Sequence, residues 1–227
     1  MMLIIENLLT SQEVTEFTAQ LSDAKWQDGL QTAKGLNTSA KRNQQTDPAC
    51  QIIQKLVNHL LQKMGQHTKL ISAALPHRIF PPVFNRYQLN QTYGAHVDAA
   101  IMQVPGNQEM LRSDVSMTLF LSPIEDYDGG ELFIEGPFGV QEIRLNAGDA
   151  VLYPSSSLHQ VNPVTRGERL AAITWIQSLV PDAEMRTLLF DLDQSIQSLT
   201  RKNQENNDEL LGLTSVYHNL IRKVTKV

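Results

Sequence analysis

Between residues 77 and 176 the chain breaks into short apolar runs separated by glycine and proline, and that rhythm most limits what it can fold into. PHRIFPPVFNRYQL and TYGAHVDAA are β-rich and interrupted by Pro81-Pro82 and Gly94. Residues 114–121 (DVSMTLFL) form a candidate strand closed by Pro123, whereas 100–113 read as a loop. Asp128-Gly129-Gly130 predicts a tight turn into a hairpin through ELFIEG. Residues 141–145 alternate again, residues 146–149 turn the chain into AVLYP, and LAAITWI at 170–176 is a last apolar strand. Short strands at near-regular spacing with glycine turns predict a β-sandwich or a jelly roll.

Helical patterns flank this region. After a short apolar run at 2–5, Thr10 and Glu13 stand in capping-box spacing before Val14, Phe17 and Leu21. Residues 27–46 are polar and form a loop or irregular strands near a cleft mouth, a candidate lid. Asp47-Pro48 is expected to cap and open a second helix, whose apolar stripe runs from Ile52 to Met64. His59 and His67 lack a carboxylate at ligand spacing, which leaves them surface or structural roles. Beyond Pro181, two helical repeats (185–199 and 210–224) must cover either the barrel flank or a second copy of the chain. The expected organisation is a strand and supporting helices at 1–76, a core at 77–180 and a helical extension at 181–227.

A length of 227 residues suits one domain with a substantial core, or a domain and a small appendage. The net charge of -5 argues against a duplex-binding module, which needs clustered cations. Cys50 is the only cysteine, so no intrachain disulfide and no thiolate cage can form. MMLIIENLL has no basic leader, and no window is long and apolar enough for a membrane span. The expected compartment is the reducing cytoplasm, with neither nucleic acid nor membrane as partner.

The chemistry concentrates on four side chains. His96 and Asp98 are two apart, so in an extended segment both face one side while Val97 points into the core. His159 follows about sixty residues later, after AVLYP and a turn of serines. Two histidines and one carboxylate with other positions open is the ligand set of non-haem Fe(II) oxygenases. Arg169 shares a strand face with Ala171 and Ile173; on an interior face its guanidinium requires an anion, and a dicarboxylate such as 2-oxoglutarate suits its planar fork. Asp149 and Arg166 are read as a turn residue and a solvent-facing residue.

These segments in order resemble the PKHD-type hydroxylases of the prolyl 4-hydroxylase superfamily: FNRYQ, YGAHVDAA, SDVSMTLFLSPIEDYDGGEL, GDAVLYPSSSLHQVNPVTRG, GERLAAITW and WIQS. The resemblance covers residues 84–197 most strongly. It implies a mainly β fold with flanking helices: a double-stranded β-helix (jelly roll) core, N-terminal helices and a C-terminal helical extension. It further implies Fe(II) on His96, Asp98 and His159, and 2-oxoglutarate as cosubstrate with its distal carboxylate on Arg169. Tyr87 matches a tyrosine near the cosubstrate, and Ser116 and Thr118 are weaker candidates for the same pocket. Ala99 departs from the family, where asparagine is expected, which removes a hydrogen-bond partner near the metal. The implied reaction is hydroxylation by O2 with release of succinate, L-ascorbate helping to restore Fe(II). The substrate is left open between peptidyl proline and a small metabolite. Two rivals stand beside this reading: a non-catalytic jelly roll sensing metal and 2-oxoglutarate, and a cupin-type enzyme using Zn or Mn. A homo-oligomer through the C-terminal helices is a further expectation.

Overall fold

The computed structural model describes residues 1–32, 41–106, 108–202 and 208–226. The N-terminal third runs β1 (Leu3–Ile5), α1 (Ser11–Ser22), β2 (Trp26–Asp28), β3 (Lys41–Arg42), β4 (Gln44–Thr46), α2 (Gln51–Gln66) and α3 (Thr68–Ala74). The core follows with β5 (Pro76–Ile79), β6 (Val83–Tyr87), β7 (Thr92–His96), β8 (Ile101–Gln103), β9 (Met110–Arg112) and β10 (Val115–Phe120). Next come β11 (Asp128–Gly129), β12 (Leu132–Gly136), β13 (Gly139–Ile143), β14 (Ala150–Pro154) and β15 (His159–Val161). The chain ends with β16 (Val164–Arg166), β17 (Arg169–Ser178), α4 (Ala183–Lys202) and α5 (Asp208–Val224).

Two sheets face each other as a jelly roll. The larger is ordered β1-β14-β10-β17-β6-β4-β2, with β5 also paired to β17; the smaller is β13-β12-β15-β7-β3. Side chains on β10 alternate between two destinations. Ser116, Thr118 and Phe120 point between the sheets, whereas Met117 and Leu119 point outward beneath the helices. Phe17, Leu21, Ile53, Leu56, Leu60 and Leu70 of α1, α2 and α3 cover that outer face. A strand covered on both faces loses the polar alternation of a half-exposed one, and every residue of β10 is buried. The inner layer joins Phe120, Val151 and Tyr153 of the large sheet to Leu132, Ile134 and Val161 of the small one.

The capping box of α1 is formed: Thr10 accepts from the Glu13 amide while Glu13 accepts from the Thr10 amide. Other expectations need correction. Asp47-Pro48 does not open α2, which starts at Gln51 with Cys50 as its cap. The Asp47 carboxylate accepts the Ala49 amide and its carbonyl accepts the Cys50 amide, so the pair makes a turn before the helix. The expected loop at 100–113 contains an antiparallel hairpin, β8 on β9, with Met102 opposite Leu111. Asp128 and Gly129 do not turn the ELFIEG hairpin; they pair with β16, and the chain reverses between Gly136 and Gly139.

Helices α4 and α5 enclose Leu189, Ile196 and Tyr217 around Leu75 and Val180. Ser72 of α3 donates to Asp193 at 2.5 Å, which ties the pair to the body of the fold. Within the expected lid, residues 33–40 lie outside the described residues, as do 203–207 in the polar connection between α4 and α5. Among the described residues no helix is long and apolar enough to cross a membrane.

Candidate functional site

His96 closes β7 and His159 opens β15, and the two are partners in the antiparallel register. Both rings enter the space between the sheets, buried, with centroids 4.2 Å apart. Each Nδ1 lies against a backbone carbonyl, Gly94 at 2.8 Å and Ser157 at 3.0 Å. A carbonyl only accepts, so each Nδ1 carries a proton, and in the neutral ring that leaves Nε2 as the lone-pair atom. Burial, and then the neighbouring His159, push the His96 pKa down to about 4, which keeps that imidazole neutral. Tyr93 stacks on His96 at 3.6 Å, and Tyr153 meets His159 edge-on at 5.1 Å.

Asp98 completes the cluster. Its Oδ1 lies 3.8 Å from the His159 Nε2, and the ligand-type atoms of His96, Asp98 and His159 fall within 4.8 Å of one another. Two lone pairs and a carboxylate oxygen converging on one point fit a divalent cation of intermediate softness. β7 ends at His96, so Asp98 lies just beyond the strand, yet the two side chains turn to the same side, as their spacing predicts. Val97, however, does not enter the core; it is 44 % exposed, at the edge of the cavity. Asp98 is held from the opposite sheet, where Ser116 of β10 donates to its Oδ2 at 2.6 Å.

Arg169 opens β17 opposite Tyr87 of β6. It is 1 % exposed, with its guanidinium 5.3 Å from the Tyr87 ring and 5.1 Å from the Phe120 ring. Among the described residues its Nε and Nη2 find no acceptor. A buried cation with unpaired donors is costly, and an anion filling the space beside it removes that cost. Burial raises the Tyr87 phenol pKa, with Arg169 opposing, so the hydroxyl stays protonated as a donor.

The triad, Arg169 and Tyr87 line one cavity of ≈ 820 Å³. Ser116 and Thr118 line it too, as expected of the pocket, but Ser116 is engaged with the carboxylate. Its lining includes the apolar Phe80, Met102, Ile173 and Trp175 and the polar Gln27, Asp28, Lys41 and Gln45. Lys41 went unnoticed in the sequence because a lysine in a polar stretch looks like surface. The ammonium stands 5.3 Å over the Tyr93 ring, and burial, opposed by Asp28 and Asp98, brings its pKa down to about 8.

The remaining candidates lie elsewhere. His59 pairs with Glu13 at 3.0 Å, and His67 caps α3 by accepting the Leu70 amide. Asp149 accepts the Asn7 amide, and Arg166 pairs with Asp128 in solvent.

Residues 82–177 match the family model of the 2OG-Fe(II) oxygenase superfamily, and residues 182–225 match that of the PKHD-type hydroxylase C-terminal domain. A PKHD-type hydroxylase of Alteromonas mediterranea is 56 % identical over 226 residues, covering 100 % of both chains. Among solved structures, a Pseudomonas putida prolyl-4-hydroxylase aligns with a TM-score of 0.55 at 20 % identity, over 78 % of this chain and 92 % of its own. A Trichoplax adhaerens prolyl hydroxylase in complex with a hypoxia inducible factor peptide aligns at 0.54 and 20 % identity, over 82 % and 86 %. The two structures share the fold, and the sequence relative carries the assignment: this chain belongs to the PKHD-type hydroxylases, within the 2OG-Fe(II) oxygenase superfamily.

Proposed function

We propose that this chain hydroxylates a C–H bond of its substrate, with Fe(II) on His96, Asp98 and His159 and with 2-oxoglutarate held by Arg169. One O2 is consumed; one oxygen atom enters the substrate as hydroxyl and the other enters succinate, with loss of CO2. The observation that carries this reading is the shared cavity: three converging ligand atoms and, in the same lining, a buried guanidinium with two donors that find no acceptor among the described residues.

The side chains have distinct tasks. His96 and His159 aim Nε2 lone pairs because their Nδ1 protons are committed to Gly94 and Ser157. Asp98 adds the negative charge. Arg169 Nε and Nη2 pair with the distal carboxylate of the cosubstrate, and Tyr87 borders the same end. Leu132 and Val161 line the same cavity and pack in the apolar cluster that holds Tyr87 and Phe120. When bound, Fe(II) supplies the O2 activation that no side chain here provides. L-Ascorbate serves to keep the metal reduced, and a chain with one cysteine suits the reducing cytoplasm.

For the substrate we keep two classes, peptidyl proline and a small metabolite. The Trichoplax neighbour is bound to a peptide, whereas the cavity volume lies within the range of small-molecule sites. The test is succinate release with Fe(II), O2 and 2-oxoglutarate, alongside a mass-spectrometric screen of peptides and metabolites for the gain of one oxygen atom. Succinate release that disappears in His96→Ala supports an oxygenase. Tight binding of metal and 2-oxoglutarate without any succinate would instead identify a sensor.

A further inference from the structure

Asp98 is the one member of the triad that no strand holds, since β7 stops at His96. What holds its carboxylate is a hydrogen-bonded pair on the large sheet. Ser116 Oγ lies 2.6 Å from Asp98 Oδ2, and Ser155 Oγ lies 2.8 Å from Ser116 Oγ. Both serines are buried, 1 % and 2 % exposed. A carboxylate only accepts, so Ser116 must donate its hydroxyl proton to Asp98. Its oxygen is then left as the acceptor for Ser155, and the chain Ser155 to Ser116 to Asp98 runs in one direction. Such chains strengthen one another inside a low-dielectric interior, and 2.6 Å is the range of a charge-assisted O–H···O⁻ bond.

The consequence is an asymmetric carboxylate. Oδ2 is occupied by a hydroxyl of the opposite sheet, while Oδ1 faces the His159 Nε2 at 3.8 Å. We propose that Ser116, backed by Ser155, is a positioning residue that makes Asp98 bind the metal through Oδ1 alone. A second carboxylate oxygen on the metal would take a position that the cosubstrate or O2 needs. The backing is built into the fold. Ser116 sits within β10 opposite Tyr153 of β14, and the Ser155 amide donates to the Asp114 carbonyl just before β10. The separation of the two sheets therefore sets where the carboxylate stands. The inference rests on the metal reading above and adds to it a residue outside the ligand set.

The experiment titrates metal-free protein with Co(II), read by calorimetry and by its visible absorption, in wild type, Ser116→Ala, Ser155→Ala and His96→Ala. Loss of an outer hydrogen bond to a ligand typically costs about 10–100-fold in metal affinity. We expect a loss of that order in Ser116→Ala, a smaller one in Ser155→Ala, and an altered Co(II) band in both, because the carboxylate is released to change its binding mode. Ser155→Ala leaves Ser116 in place and carries the test if Ser116→Ala does not fold. Wild-type affinity and an unchanged band in both serine variants, with binding lost in His96→Ala, would overturn the positioning role alone. Unchanged binding in His96→Ala would remove the metal site on which it stands.

Discussion

Gly130 and Arg169 are packed so closely that a β-carbon on Gly130 would stand 3.0 Å from the Arg169 Cδ. The same carbon would lie 3.0 Å from Val164 Cγ2, and Gly130 has a φ of +66, where side chains are strained. The glycine thus leaves room for the guanidinium stem at the turn before β12, and the site depends on a residue with no side chain.

Gly130→Ala is expected to weaken 2-oxoglutarate binding about tenfold, because overpacking of this kind costs roughly 1–3 kcal/mol and displaces Arg169. Calorimetric titration of 2-oxoglutarate in the presence of Mn(II) reads this directly. An unchanged affinity would mean that the stem yields without moving the guanidinium.

Arg169→Met should separate stability from binding. A buried charge without a partner is a cost to the fold, and an apolar residue of similar length removes it. Without cosubstrate the variant is expected to melt no lower than wild type. Wild type gains about 2.7 kcal/mol at 2-oxoglutarate concentrations near 100 times its Kd, whereas the variant gains nothing. Melting curves with and without 2-oxoglutarate check both parts.

Glu13 accepts from Lys63 at 2.7 Å, from the Thr10 amide at 2.9 Å and from His59 at 3.0 Å. Burial acts to raise its pKa, but these bonds outweigh it and hold the carboxyl down at about 2. The folded pKa is thus below the unfolded one, so the stabilisation is complete above about 4.5 and is lost as pH falls towards about 2. Urea unfolding of Glu13→Gln should show lower stability at neutral pH and a flatter decline across that acid window.

Asp114 anchors the β8–β9 hairpin at its root. It accepts two bonds from Arg112, at 2.7 and 2.9 Å, and the Ser178 amide at 2.8 Å. Asp114→Ala leaves these donors without their acceptor, at a cost of roughly 1–3 kcal/mol. Faster limited proteolysis within residues 101–112, with the jelly-roll core still protected, is the expected outcome.

The chain's local patterns carried much of this. The strands of the core, the amphipathic stripes of α1 and α2 and the capping box at Thr10 follow from periodicity and residue type, which neighbours a few positions apart express. The helix start at Asp47-Pro48 misled because an Asx turn and an N-cap use the same residues. The β8–β9 hairpin was hidden because Pro105, Gly106 and flanking polar residues look like loop until Met102 finds Leu111.

By itself the sequence determined which chemistry the chain has at its disposal: two imidazoles, a carboxylate and an arginine, set among strands that must pack in two layers. Only the tertiary structure decided that His96 and His159 are register partners, that Asp98, beyond the end of β7, meets Ser116, and that Arg169 is buried beside Tyr87 with donors to spare. Those are pairings between segments far apart in the chain and across two sheets. Local periodicity says which face a side chain takes, but not which distant strand will come to lie opposite it.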